Sequence, residues 1–140
     1  MSGIRGTNTK PEMLVRRMLH AAGFRYRLHV RNLPGCPDIV LPKYGAVIFV
    51  HGCFWHAHEG CRYFKLPKTR AAFWELKLRS NRSRDRANVD ECLRLGLRVA
   101  VVWECATRQP DFDLSALANW VRGSAVTYEY AANLDTHPRD

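Results

Sequence analysis

The sequence lacks any long apolar run. Its longest uninterrupted hydrophobic stretches are five residues each, at 46–50 and 99–103. A membrane-spanning helix needs about 20 such residues, so we expect no membrane partner. The first ten residues are polar, which predicts that no secretory signal is present and that the protein is cytoplasmic.

Internal repeats, low-complexity segments and Gly/Ser-rich linkers are also lacking. A length of 140 residues fits a single domain. We expect that domain to span 1–123 with an irregular loop inserted at 51–68, and we expect a C-terminal tail at 124–140 that frays.

Acidic residues are few relative to basic ones. The chain has 22 Lys and Arg against 13 Asp and Glu, a net charge of +9. The excess is concentrated in two segments, because 62–86 holds nine basic and two acidic residues and 5–31 holds seven basic and one acidic. Concentrated positive charge favours a nucleic-acid partner. The alternative is a basic surface that simply faces solvent.

Periodicity predicts an α/β fold with a mixed sheet in the order helix, three strands, helix, strand, helix. The first helix begins with capping-box spacing at 9–12 and ends at Gly23. The other predicted elements are strands at 24–30, 38–41 and 46–50, a helix at 69–95 with a break near Ser80 and Asn81, a strand at 97–103, and a last helix capped by Asp113 and ended by Gly123.

Cysteine is present in an odd number, five, which argues against a disulfide framework. Cys53, His58 and Cys61 are closely spaced in the irregular loop, and Cys105 follows the strand at 97–103. Thiolates with one imidazole are the ligand set of a closed zinc site. The alternative is a set of unrelated buried thiols, the role we expect for Cys36 and Cys92.

Three acidic residues are candidates for a catalytic site, each with a simpler alternative. Asp38 follows Pro37 at the head of a strand, where a carboxylate suits a hard cation such as Mg²⁺, although it also suits a turn. Glu12 has the position of a helix-capping residue. Asp85 stands among arginines and fits a surface ion pair.

Aromatic residues accompany the basic segment. Phe54 and Trp55 lie inside the loop next to two thiol ligands, so we expect at least one of them to face outward. Phe73 and Trp74 begin the following helix, and we expect Phe73 to face the core. Exposed aromatics among Lys and Arg favour stacking on bases.

The run His-Gly-Cys-Phe-Trp-His at 51–56 resembles the signature of very-short-patch repair (Vsr-type) DNA mismatch endonucleases. So do the segments 33–38, 73–74, 84–86 and 102–105, in the same order along the chain. The resemblance implies a restriction-endonuclease-like fold of three layers. It also implies Mg²⁺-dependent nicking beside the thymine of a T·G mismatch, which arises when 5-methylcytosine deaminates.

The resemblance implies a role for each matching residue. Asp38 and the backbone carbonyl of Val50 match Mg²⁺ ligands, and His56 matches a catalytic histidine near the scissile phosphate. The remaining matches are Glu12, His51 and Asp85 around the hydrated metal, Cys53, His58, Cys61 and Cys105 as zinc ligands, and Phe54, Trp55 and Trp74 as aromatics that enter the DNA stack.

We expect contacts to the DNA backbone from basic residues of the loop and the long helix: Arg62, Lys65, Lys68, Arg82, Arg84 and Arg86. The implied partners are duplex DNA with a T·G mismatch, mismatch-repair proteins and a repair polymerase, and the implied protein is a nucleoid-associated monomer. The residues leave open which of His51 and His56 is the acid and which the base. They also leave open a same-fold restriction or defence nuclease that cuts matched DNA, and a non-catalytic zinc module that binds DNA.

Two departures from the family pattern bear on DNA contact. Members often carry a basic segment before the position of Met1, and we expect the clamp it forms to be short or absent here. Cys36 stands where the family is often basic, which weakens the expected phosphate contact.

Overall fold

The computed structural model describes residues 8–132 as an α/β fold with five strands and four α-helices. Within these residues, no helix is long and apolar enough to cross a membrane. The elements are α1 (Lys10–Ala21), β1 (Arg27–Leu28), β2 (Ile39–Leu41), a short 3-10 helix (Pro42–Tyr44), β3 (Ala46–His51), α2 (Ala71–Arg94), β4 (Arg98–Trp103), α3 (Glu104–Thr107), α4 (Ser115–Arg122) and β5 (Thr127–Tyr130).

The strands form one mixed sheet in the order β1-β2-β3-β4-β5. The β1–β2 and β2–β3 pairs are antiparallel, and the β3–β4 and β4–β5 pairs are parallel. The N-terminal end of β2 therefore lies at the same edge of the sheet as the C-terminal ends of β3, β4 and β5. We call this edge the site edge, because Asp38 and His51 both lie on it.

Helices cover both faces of the sheet, as predicted. On one face, α1 and α4 bury apolar side chains such as Leu19 and Leu117 against β2, β3 and β4. On the other face, α2 packs Cys92 and Val89 against Val47 and its neighbours. Burial of each apolar side chain contributes about 1.5–3 kcal/mol, so these two cores fix the sheet that carries the site edge.

The structure corrects two predicted elements. Only Arg27–Leu28 of the predicted strand at 24–30 pairs in the sheet, since β2 offers three residues and His29 turns into the left-handed region with φ 48°. The helix α2 is unbroken. The Asn81 side chain donates to the Trp55 carbonyl oxygen at 2.9 Å and does not interrupt its own helix.

The expected frayed tail is wrong for Thr127–Tyr130, which form β5 beside β4. Burial alternates along this strand, with Tyr128 and Tyr130 less exposed than their neighbours. This period-2 pattern was present in the sequence, but a C-terminal position suggested disorder. The tail residues 133–140 lie outside the described part of the chain.

Candidate active site and metal centre

Asp38 lies at the site edge beside the end of β3. Its Oδ2 accepts a hydrogen bond from the Val50 backbone N–H at 2.7 Å, so the side chain bridges two strands and does not form a local turn. Burial raises the pKa of Asp38 from 3.8 to about 6, the Val50 N–H opposes the rise, and nearby Glu12 adds to it. A bound cation would relieve this penalty, because it favours the ionised form.

Glu12 is almost completely buried, with 1% of its surface exposed. Its carboxylate accepts from the Asn8 N–H at 2.9 Å and lies 3.3 Å from Arg16 Nη1 and 2.7 Å from His29 Nε2. The carboxylate therefore accepts from a backbone N–H just before α1, as a helix-capping residue does. It also forms a cluster with His29 and Asp38 whose donor atoms lie within 4.8 Å of one another. His29 was not among the predicted site residues.

His51, His56 and Asp85 form a second cluster next to the first. The rings of His51 and His56 stack with centroids 3.9 Å apart and planes 5° apart. His56 Nδ1 lies 2.5 Å from Asp85 Oδ2, so the partner of Asp85 is a histidine and the surface ion pair with flanking arginines is wrong. This carboxylate orients the His56 ring and fixes a proton on Nδ1.

His51 is held neutral by its surroundings. It is 7% exposed, and its Nδ1 has no hydrogen-bond partner among the described residues. Burial is the main cause that lowers the pKa of His51 well below its ordinary value, and the neighbouring histidines add to it. A neutral imidazole with an unpaired ring nitrogen can form one further hydrogen bond, to a water molecule or to a substrate atom.

One cavity of about 270 Å³ connects most of these groups. It is lined by Asp38, Val50, His51, His56 and Asp85, together with Gly35, Cys36, Phe49 and Asn88. The structure therefore brings five predicted residues to one space. Glu12 does not line the cavity, but its carboxylate lies beside that of Asp38, which does.

The predicted metal ligands of the loop converge. Donor atoms of Cys53, His58, Cys61 and Cys105 lie within 4.8 Å of one another, with Cys105 Sγ 3.6 Å from His58 Nδ1. The pKa of Cys105 is lowered, first by the hydrogen bond from the Cys53 thiol and also by His58. Three thiols and one imidazole around a common point fit a tetrahedral zinc ion.

Backbone N–H groups support this donor set. Cys105 N donates to Cys53 Sγ at 3.3 Å, Tyr63 N to Cys61 Sγ at 3.4 Å, and Ala132 N to Cys105 Sγ at 3.3 Å. Such bonds stabilise thiolates. The last of them joins the segment after β5 to the cluster, so part of the predicted tail supports the candidate metal site.

Three side chains around the cluster were not predicted as site residues. The Trp103 ring stacks on His58 with centroids 3.9 Å apart, and its Nε1 donates to Glu129 Oε2 at 2.6 Å. Glu104 Oε1 accepts from the Cys53 N–H at 3.1 Å. The Trp-Glu-Cys order at 103–105 was a usable signal, because neighbours of a ligand often orient it.

Aromatic side chains from the loop and from the start of α2 lie close together. We call Phe54, Trp55, Phe73 and Trp74 the aromatic patch. Ring centroids of Phe54, Trp55 and Trp74 lie 5.0 to 5.8 Å apart, and all three are half-buried. The expectation that Phe73 faces the core is wrong, since it is 44% exposed at the start of α2, with Arg70 over its ring.

Most of the predicted DNA-contacting cations point to solvent. Arg62, Lys65, Lys68, Arg84 and Arg86 are exposed. Arg82 is half-buried and pairs with Glu59, so part of its charge is already compensated.

The chain is similar in sequence to known DNA endonucleases. The family model of DNA mismatch endonuclease Vsr matches residues 1–62. The chain is 51% identical to the type II nicking enzyme V.XorIIP of Xanthomonas oryzae pv. oryzae, over 75% of this chain and 76% of that protein. It is 47% identical to the type II nicking enzyme V.NmeAIP of Neisseria meningitidis serogroup A, over 75% and 74%. It is 44% identical to the DNA mismatch endonuclease Vsr of Escherichia coli, over 77% and 69%.

Proposed function

Because this chain belongs to the family of the DNA mismatch endonuclease Vsr and is a DNA endonuclease, we propose that it nicks duplex DNA beside the thymine of a T·G mismatch. The observation that carries the proposal is the single cavity shared by Asp38, His51, His56 and Asp85. A carboxylate that can hold a metal ion and two imidazoles that can transfer protons suit phosphodiester hydrolysis.

Asp38 and the Val50 carbonyl oxygen are the proposed ligands of a catalytic Mg²⁺. Both are hard oxygen donors, and Mg²⁺ in proteins is commonly held by one or two carboxylates and by waters. The ion supplies Lewis acidity and orients water when it is bound. The raised pKa of Asp38 fits a carboxylate that is built to receive a cation.

His56 is the proposed proton acceptor. Its Nδ1 is occupied by Asp85 at 2.5 Å, so the neutral ring presents the lone pair of Nε2 for a proton from the attacking water. His51 stacks beside it and stays neutral because of its lowered pKa. We assign His51, with Glu12 and Asp85, to holding water around the metal.

A structural Zn²⁺ on Cys53, His58, Cys61 and Cys105 is the second proposed cofactor. Four protein ligands leave no open coordination position, so the ion shapes the loop and takes no part in hydrolysis. The loop at 51–68 contains no helix and no strand beyond His51, and the metal would therefore supply its main tertiary restraint.

The aromatic patch is the proposed reader of the mismatch. Inserting a side chain such as Trp55 between bases costs unstacking energy, and that cost is smallest where pairing is already defective. The exposed cations of the loop and of α2 would hold the phosphates. A nick needs resynthesis, so we propose a repair polymerase and mismatch-repair proteins as partners of a monomeric enzyme.

A second candidate is a nicking enzyme with a different target. It is favoured by the relatives that are named type II nicking enzymes, among them V.XorIIP. The non-catalytic zinc module is disfavoured, because these relatives are named as nucleases.

The test uses end-labelled duplexes that are identical except for one T·G or T·A pair, with Mg²⁺ present or omitted. We expect a Mg²⁺-dependent nick in the T strand of the T·G duplex. Asp38→Asn and His56→Ala should bind the duplex without nicking it, and Lys43→Gln at the opposite edge of the sheet should act like wild type. Full nicking by Asp38→Asn would refute the assigned metal site, and equal cutting of both duplexes would favour the second candidate.

A further inference from the structure

We propose that His29 is a positioning residue of the metal centre. It holds the Glu12 carboxylate beside Asp38 and so determines how tightly the centre binds its divalent ion. The inference rests on the proposed function, because it assigns Glu12 to the water shell of that ion. It goes further by giving a role to a residue outside the cavity that the comparisons and motifs left without one.

His29 bonds both acidic residues through two different atoms, the carboxylate of Glu12 and the backbone carbonyl of Asp38. Its Nε2 lies 2.7 Å from Glu12 Oε2, and its backbone N–H donates to the Asp38 carbonyl oxygen at 3.1 Å. The imidazole thus positions the Glu12 carboxylate, and the backbone N–H holds the main chain at Asp38, where β2 begins. No other described residue makes hydrogen bonds to both.

The contact to Glu12 is shorter than its alternatives. The other partners, Asn8 N and Arg16 Nη1, lie at 2.9 and 3.3 Å, and Arg16 Nη1 also bonds the Asn8 side chain at 2.7 Å. Nitrogen–oxygen distances of about 2.7–2.9 Å are typical of hydrogen bonds to an ionised carboxylate. His29 is therefore the firmest restraint on Glu12 Oε2.

The backbone of His29 supports a functional reading. Its φ of 48° is in the left-handed region, which costs free energy for residues other than glycine and recurs at functional sites, where the surrounding structure holds it. In this conformation the chain leaves β1 and the imidazole turns towards α1. Glycine would fit the backbone more easily but would leave Glu12 without this donor.

Two substitutions separate the hydrogen bond from the backbone effect. His29→Asn keeps a residue that tolerates a left-handed φ but withdraws the donor from Glu12. His29→Gln places an amide donor near the former Nε2 position. His20→Asn is the matched control, because His20 lies exposed at the end of α1 and takes no part in the site.

The measurements are kcat, the KM for a T·G duplex, and the Mg²⁺ concentration that gives half the maximal rate. We expect His29→Asn to raise that concentration about 10- to 100-fold, the usual effect of losing a group that orients a metal site. KM for DNA, zinc content and melting temperature should stay near wild type. His29→Gln should recover most of the Mg²⁺ response, and His20→Asn should match wild type.

An unchanged Mg²⁺ response in His29→Asn would overturn the inference, and so would an equal loss in both His29 variants. Mn²⁺ affinity measured by electron paramagnetic resonance on the zinc-loaded protein without DNA gives a readout independent of nicking. If wild type nicks no duplex, the proposed function fails. The inference then stands if His29→Asn weakens Mn²⁺ binding, and it falls if binding is unchanged.

Discussion

Replacing Cys105 with alanine should abolish zinc binding and unfold the loop at 51–68. The buried cluster under this loop consists of Cys53, Cys61, Trp103 and Cys105, so three of its four members are proposed ligands. Without the ion, these thiols lose their common partner, and the loop keeps only partly buried apolar side chains such as Tyr63 and Phe64 against the cluster. Alanine keeps the Cys105 backbone N–H that donates to Cys53 Sγ. It removes the Sγ that accepts from the Ala132 N–H, so the segment after β5 loses its hydrogen bond to the cluster.

The expected magnitude is large. Structural zinc contributes about 10–16 kcal/mol in small zinc-binding peptides, against about 5–15 kcal/mol for the whole stability of a domain. Even a quarter of the lower figure, about 2.5 kcal/mol, lowers the melting temperature by about 10 °C at roughly 4 °C per kcal/mol. Chelation of the wild-type protein should produce a similar loss.

The assay combines zinc content by elemental analysis with thermal unfolding followed by circular dichroism. Cys92→Ala is the matched control, because Cys92 is fully buried in the other core and its loss should leave one zinc per chain. One zinc retained in Cys105→Ala, or a chelated protein that melts like the untreated one, would refute the reasoning.

Three further predictions follow from single side chains. Because the folded-state pKa of Asp38 is raised from 3.8 to about 6, its ionised form destabilises the metal-free fold as pH rises through this interval. Asp38→Asn should therefore increase the free energy of unfolding at neutral pH by at most about 3 kcal/mol and raise the melting temperature, and both effects should vanish below about pH 4. An unchanged melting temperature at neutral pH would contradict this. Trp55→Ala should weaken binding to the T·G duplex by about 1–3 kcal/mol in a fluorescence-anisotropy titration, whereas unaltered affinity would exclude stacking. Arg84→Gln should reduce the slope of log affinity against log salt by about 1, and Lys43→Gln, at the far edge of the sheet, should leave it unchanged.

The fold was largely predictable because its signals are local. Thr9 caps α1 by accepting from the Glu12 N–H, and the apolar runs at 46–50 and 99–103 became β3 and β4. The errors in the predicted elements arose where the structure of a segment depends on which strand pairs with it. Residues 24–30 alternate like a strand, but only Arg27 and Leu28 pair with β2.

The sequence indicated most of the residues of the site. It did not indicate the contacts between residues that are far apart along the chain. Spacing within the loop indicated Cys53, His58 and Cys61, whereas Cys105 was predicted from its place after the strand at 97–103 and from the family resemblance. The structure places its Sγ 3.6 Å from His58 Nδ1. Spacing gave no indication of His29, because its link to Glu12 spans 17 residues. Asp85 was ambiguous for the same reason, since its partner His56 lies 29 residues away.

Selection of a T·G mismatch by this enzyme can be measured on two duplexes that differ in one base pair. Single-turnover nicking rates are compared for T·G and T·A duplexes of identical sequence, in a cytosine-methylation context, at saturating Mg²⁺ and excess protein. We expect the T strand of the T·G duplex to be nicked much faster than that of the T·A duplex, and Trp55→Ala to narrow this difference in rate. Equal rates on the two duplexes would contradict it.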